Sequence, residues 1–138
     1  MGITELNAAF KKEDIQALAE AAWKVRENAH VIGPTKVGCA LIGVDGRTYV
    51  GCNVEHRFRS HDVHAEVNAI TSMVSQGCES FRLMFIAAER DRFTPCGACM
   101  DWIMQFATNN EVLIVAQARI GGELQVFKTS QLMPYYPR

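Results

Sequence analysis

An α/β domain on a mixed five-stranded sheet is predicted by three observations. Stretches of helical period alternate with short runs of strand character, and two glycine turns join neighbouring strands. No repeat, low-complexity stretch or Pro/Gly/Ser linker interrupts the 138 residues, so a single domain over 1–138 is expected.

The elements follow in order. Residues Glu13 to Asn28 place Ile15, Leu18, Ala19, Ala22 and Val25 on one stripe of a helix, and Gly33-Pro34 then breaks the chain. Val37 to Val44 and Arg47 to Cys52 are predicted strands joined at Asp45-Gly46, a dipeptide that favours hairpins. A helix is predicted over His64 to Gln76, ended by Gly77. Arg82 to Ala88 is a short buried strand and Gly97 to Ala107 a further helix. Glu111 to Ala118 and Glu123 to Phe127 are strands around Gly121-Gly122, too close in sequence to be anything but antiparallel neighbours. A last helical turn is predicted to begin at Thr129 or Ser130.

Composition narrows the function. The chain is 49% hydrophobic and 21% charged, enough to build a core. Its 14 basic residues against 15 acidic ones leave a net charge of −1, which argues against a dedicated nucleic-acid partner or an anionic membrane surface. The longest apolar run, Leu83 to Ala88, is far too short for a membrane span, so no membrane partner is expected. No signal-peptide pattern opens the chain, and five cysteines in such a sequence read as thiols or metal ligands; a cytoplasmic location is expected. Cys39, Cys52 and Cys78 read as small core residues, and Trp23 and Trp102, at helical positions, as core.

Two segments carry chemistry: His64-Ala65-Glu66 and Pro95-Cys96-Gly97-Ala98-Cys99. Each stands where the chain enters a helix. Cysteines three apart share one side of a helical turn, so Cys96 and Cys99 can bind one metal, and a helix N-terminus favours the thiolate that binds it. One histidine and two thiolates neutralise Zn2+ and leave one tetrahedral position open, as catalytic zinc does. Glu66 can reach that position without being a ligand, take a proton from water and pass it on. A redox Cys-x-x-Cys pair would leave His64 and Glu66 unexplained. A closed structural site would need a fourth ligand, for which Cys52, Cys78 and His61 are the candidates. H-x-E combined with P-C-x-x-C is the signature of zinc deaminases.

At these residues the sequence resembles the cytidine deaminase family. The resemblance runs from about Pro34 to Pro134 and takes in Val37-Gly38-Cys39-Ala40-Leu41, Gly51-Cys52-Asn53-Val54-Glu55, both metal motifs and Leu132-Met133-Pro134. It implies a three-layer α/β/α fold and zinc on His64, Cys96 and Cys99, with Glu66 as proton shuttle. It implies ribose hydroxyls on Asn53 and Glu55, with the base touched by backbone around Ala65 and Thr94. It implies a homotetramer, a homodimer being the alternative, in which a C-terminal aromatic, Tyr135 or Tyr136, reaches a neighbour's site. Amide and carboxylate side chains suit vicinal hydroxyls in any case, although a polar loop after a strand would look the same.

Departures from the family pattern bear on the substrate. Short members usually ligate zinc with three cysteines and place an arginine after the glutamate. Here His64 and Val67 change together, which keeps the site's charge balanced. Thr35 replaces an aromatic residue, His56 an asparagine, and Met100-Asp101 an Arg-Gln pair. The implied activity is hydrolytic deamination of a cytosine nucleoside. The alternative is the same chemistry on a modified aminopyrimidine nucleoside, a nucleoside antibiotic or CMP. Nucleic-acid editing fits less well, because the tight Gly121-Gly122 turn leaves no room for the helix those branches insert. A non-catalytic zinc module would have no need of Glu66. Arg57, Arg59, Arg90 and Arg92 flank the metal motifs; they suit an anionic substituent, or form solvated loops paired with Glu89 and Asp91.

Overall fold

The continuous burial of the central strands determines the architecture. In the computed structural model, which describes residues 2–137, β1 (Val37–Gly43) and β3 (Phe81–Ala88) are buried along almost their whole length. Strands buried on both faces read as near-continuous apolar runs, and these two do. They form the middle of a five-stranded sheet ordered β2-β1-β3-β4-β5, with β2 Thr48–Cys52, β4 Leu113–Gln117 and β5 Leu124–Lys128. Only β3 and β4 pair in parallel among the described strands, so the sheet is mixed, and the last two strands are antiparallel as expected.

Alternate side chains feed two cores. On one face Cys39, Leu41, Met84 and Ile86 pack against α3 (Ala65–Ser75) and α4 (Gly97–Phe106). On the other, Ala40, Ile42, Leu83 and Phe85 meet α1 (Gly2–Ala9) and α2 (Lys12–Arg26). The result is the three-layer α/β/α arrangement. Helix α5, Thr129–Leu132, closes the chain on the α4 side. Among the described residues no helix is long and apolar enough to cross a membrane.

The expected elements agree with the observed ones to within two residues, with one omission. Helix α1 has no counterpart in the sequence reading; only Leu6 of it is buried, and it is held by β5, far along the chain. The turns carry their glycines at positive φ: Gly46 at 82°, Gly77 at 94° and Gly121 at 74°. The tryptophans depart from the expectation of core to different degrees: Trp23 packs on the edge of the core under α2, and Trp102 is exposed. Trp23 is half-buried and donates to Gln117 at 2.7 Å, while Trp102 lies on the surface, stacked on Phe106.

Helices sit close on the sheet because glycine lets them. A Cβ at Gly38 would lie 2.0 Å from the Ala22 carbonyl oxygen of α2, and one at Gly51 would lie 2.3 Å from the Ala69 nitrogen of α3. Both obstacles are helix backbone, which cannot swing aside as a side chain can. Gly38→Ala and Gly51→Ala are each expected to cost about 1–3 kcal/mol or more, as overpacked cores do. Thermal melts of the two variants check this, and wild-type Tm values would contradict it.

Candidate active site

Two helix N-termini build the site. The strand β2 runs into a loop that is closed at its base by reciprocal bonds between Val54 and Val63, with N···O distances of 2.8 and 2.9 Å. That closure returns the chain to the sheet end, and the next residue, His64, caps α3 in extended backbone conformation. From strand β3, on the far side of β1, a second loop leads through Pro95 to Cys96, the N-cap of α4, whose sulfur accepts from the Cys99 N–H at 3.5 Å. The two caps face each other. His64 Nδ1 lies 3.2 Å from Cys99 Sγ and 3.5 Å from Cys96 Sγ.

This donor set fits zinc. Tetrahedral zinc with ordinary Zn–N and Zn–S bonds holds its ligand atoms at about 3.6 Å for N···S and about 3.8 Å for S···S. The three donor atoms all lie within 4.8 Å of one another, one imidazole and two sulfurs. Cys52, Cys78 and His61, the candidates for a closing fourth ligand, do not join that group.

Glu66, in the first turn of α3, is 3% exposed. Burial lifts its carboxyl above the ordinary glutamate range, opposed by its own backbone N–H, the nearby His64 and a bond to Cys99. The Cys99 thiol is raised strongly, by burial first and by the Glu66 charge next. A divalent cation between them inverts that penalty, so metal binding releases the thiol proton.

A cavity of about 320 Å³ opens on this cluster. Among the sequence-derived site residues, His64, Ala65, Glu66, Thr94, Cys96, Asn53 and Glu55 line it. Cys99 is buried behind. Tyr135 and Tyr136 do not line it: Tyr136 packs on its own chain's core and Tyr135 is 95% exposed. A larger cavity of about 640 Å³ lies between α2 and the β4–β5 turn, on the opposite face of the sheet from the metal cluster.

Asn53 and Glu55 reach the cavity while serving its wall. Asn53 Oδ1 accepts from the Val37 N–H at 2.8 Å and its Nδ2 donates to the Thr35 carbonyl at 2.8 Å. Glu55 Oε1 accepts from Ile32 and Gly33 N–H groups at 2.7 and 2.9 Å, and Oε2 meets Arg59 at 3.2 Å. The backbone N–H of Gly33, then that of Ile32, hold the Glu55 carboxyl below its ordinary range against a smaller desolvation, and Arg59 adds to this.

Of the two loop phenylalanines, which the sequence allows either to line a base pocket or to anchor their loops, Phe93 lines the cavity and Phe58 does not. Asp62 lines it and binds Arg59 at 2.9 Å, a pairing that the three-residue spacing could have suggested. The expected pairing of the loop arginines with Glu89 and Asp91 is corrected: Glu89 is held by Arg26 at 2.6 Å, and Arg59 by Glu55 and Asp62.

Comparison with known proteins places these features in a wider group. The family model described as the cytidine and deoxycytidylate deaminase zinc-binding region matches residues 12–116. A protein named cytidine deaminase from Sporosarcina psychrophila is 32% identical over 123 residues, covering 88% of this chain and 89% of the relative. A probable cytidine deaminase from Dictyostelium discoideum is 33% identical over 130 residues, covering 91% and 84%. Among solved structures, cytidine deaminase from Burkholderia pseudomallei superposes with a TM-score of 0.78 at 30% identity, covering 86% of this chain and 95% of the other.

Proposed function

As a member of the cytidine and deoxycytidylate deaminase family, the chain is a zinc-dependent hydrolase of the cytosine C–N bond, and we propose that its substrate is a cytosine nucleoside and that Glu66 moves the protons. His64, Cys96 and Cys99 would hold the zinc, which when bound supplies Lewis acidity that makes water acidic near neutrality. The Glu66 carboxylate takes the proton of the attacking water and delivers it to N3 of the base. Water oxygen adds at C4 as a hydroxyl; Glu66 then takes the proton of that hydroxyl and hands it to the amine, the C4–N4 bond breaks as C4=O forms, and ammonia and the uracil product leave. A carboxyl lifted by burial suits a group that must accept and then donate near neutral pH.

Backbone at Ala65 and Thr94 is assigned to the base, and Asn53 and Glu55 to the sugar. One observation carries the reading: a buried carboxyl stands beside a three-donor metal cluster at the floor of a cavity of nucleoside size. Loss of ultraviolet absorbance with release of ammonia from cytidine, by zinc-loaded protein, tests it. Absence of turnover on cytidine, deoxycytidine, CMP and substituted cytosines alike would overturn it.

The reading extends to a homotetramer and a cytoplasmic location, with residues 1–138 acting as one domain. Five free cysteines suit a reducing compartment. Tyr135, not Tyr136, is the aromatic free to reach a neighbouring subunit, since Tyr136 is held by its own core. Tyr135→Ala is expected to raise KM about tenfold, the effect of losing one aromatic contact, with Tm unchanged. Sedimentation as a monomer, or a wild-type KM in the variant, would contradict this assembly.

A further inference from the structure

The loop arginines divide by their surroundings. Arg57 and Arg92 do not line the catalytic cavity. Arg59 lines it but is committed, its Nε to Asp62 at 2.9 Å and its Nη2 to Glu55 at 3.2 Å. Arg90 lines it as well, and among the described residues no hydrogen bond or ion pair engages its guanidinium. Of the two carboxylates beside it in sequence, Glu89 is taken by Arg26 at 2.6 Å, and Asp91 lies outside the cavity lining and forms no ion pair among the described residues.

The acceptors on the opposite wall of the cavity are engaged in part. Both polar atoms of Asn53 are bonded to backbone. Glu55 has about four lone-pair positions, and two N–H groups and Arg59 occupy three. Asp62 takes the His56 N–H on one oxygen and Arg59 on the other. Acceptor positions remain on Asn53, Glu55 and Asp62 for sugar hydroxyls, but none of these oxygens attracts an anion, which needs a donor. Arg90 offers five N–H donors in a planar fork that matches an anion. Among the charged residues of the two loops that line the cavity, Glu55, Arg59 and Asp62 sum to −1 on the β2–α3 side, and Arg90 stands on the β3–α4 side without an ion pair among the described residues.

We infer that the cavity takes a cytosine nucleoside bearing an anionic group, phosphate or carboxylate, which Arg90 recognises. The inference rests on the deaminase reading above and narrows its substrate class. The pairing that neutralises Arg59 leaves Arg90 as the one arginine of the four positioned for this.

The test uses the zinc-loaded full chain and three substrates: cytidine, CMP and cytidine with a carboxylate in place of its 5′-hydroxymethyl. An anionic substrate is expected to show kcat/KM at least tenfold above cytidine, through KM, with the advantage shrinking as ionic strength rises. A gain for CMP alone identifies phosphate, for the uronate alone carboxylate, and for both a requirement for charge only. Arg90→Gln is expected to erase the advantage, and Arg57→Gln, outside the cavity, to retain it. Equal or better turnover of cytidine, or an Arg90→Gln loss shared evenly by all three substrates, overturns the inference while leaving deamination standing. Failure of all three substrates removes the deaminase reading and this inference with it.

Discussion

Glu66→Gln is expected to hold zinc at wild-type stoichiometry and to lose turnover by about 10²–10⁴-fold, the usual contribution of a positioned acid–base group. The substitution preserves shape in a place where shape matters, since the side chain is 3% exposed at the head of α3. What it removes is the capacity to accept a proton. Glu66 lies outside the His64, Cys96 and Cys99 donor set, so the ligands stay intact. Metal analysis and ammonia release on the same sample separate the two roles. A variant that keeps turnover would refute the shuttle, and one that loses its metal would make Glu66 a ligand instead.

Cys99→Ala is expected to lower zinc affinity by well over 100-fold, beyond the 10–100-fold that outer partners of a metal site contribute, and to abolish turnover. Cys99 is fully buried between His64 and Glu66, where burial and the neighbouring carboxylate oppose its ionisation. Only a bound cation makes the thiolate favourable there. Zinc at a hundredfold excess over its Kd should stabilise wild-type protein by about 2.7 kcal/mol, seen as a rise in Tm that the variant lacks. The metal-free variant itself should melt close to the metal-free parent, since the change removes one sulfur. Retention of one zinc per chain with normal activity would exclude Cys99 from the site.

The metal cluster was legible in the sequence because its parts are local. H-A-E and P-C-G-A-C each span one helix entrance, and helix geometry fixes what each presents. The sheet was legible for a similar reason: β1 and β3 are apolar runs, Asp45-Gly46 marks the β1–β2 turn and Gly121-Gly122 the β4–β5 turn. Other features depended on partners distant in sequence. Helix α1 is too short for its periodicity to register and owes its place to β5. The engagement of Glu55 involves backbone N–H groups 22 and 23 residues away, which no side-chain pattern encodes. The pairing of Glu89 with Arg26, across 63 residues, was likewise invisible, and with it the isolation of Arg90.

The bonds of Asn53 and Glu55 make one wall of the cavity both a recognition surface and a load-carrying joint. Selection for a different sugar at those positions would loosen residues 32–37 at the same stroke, so few exchanges there could survive. On the opposite loop Phe93 packs on the core, but the side chains of Arg90 and Thr94 form no hydrogen bond among the described residues, so these two can vary at less cost to the scaffold. Diversification of substrate choice in this lineage should therefore accumulate on one bank of the cleft and spare the other, a bias that a mutational library scored for both folding and catalysis would reveal.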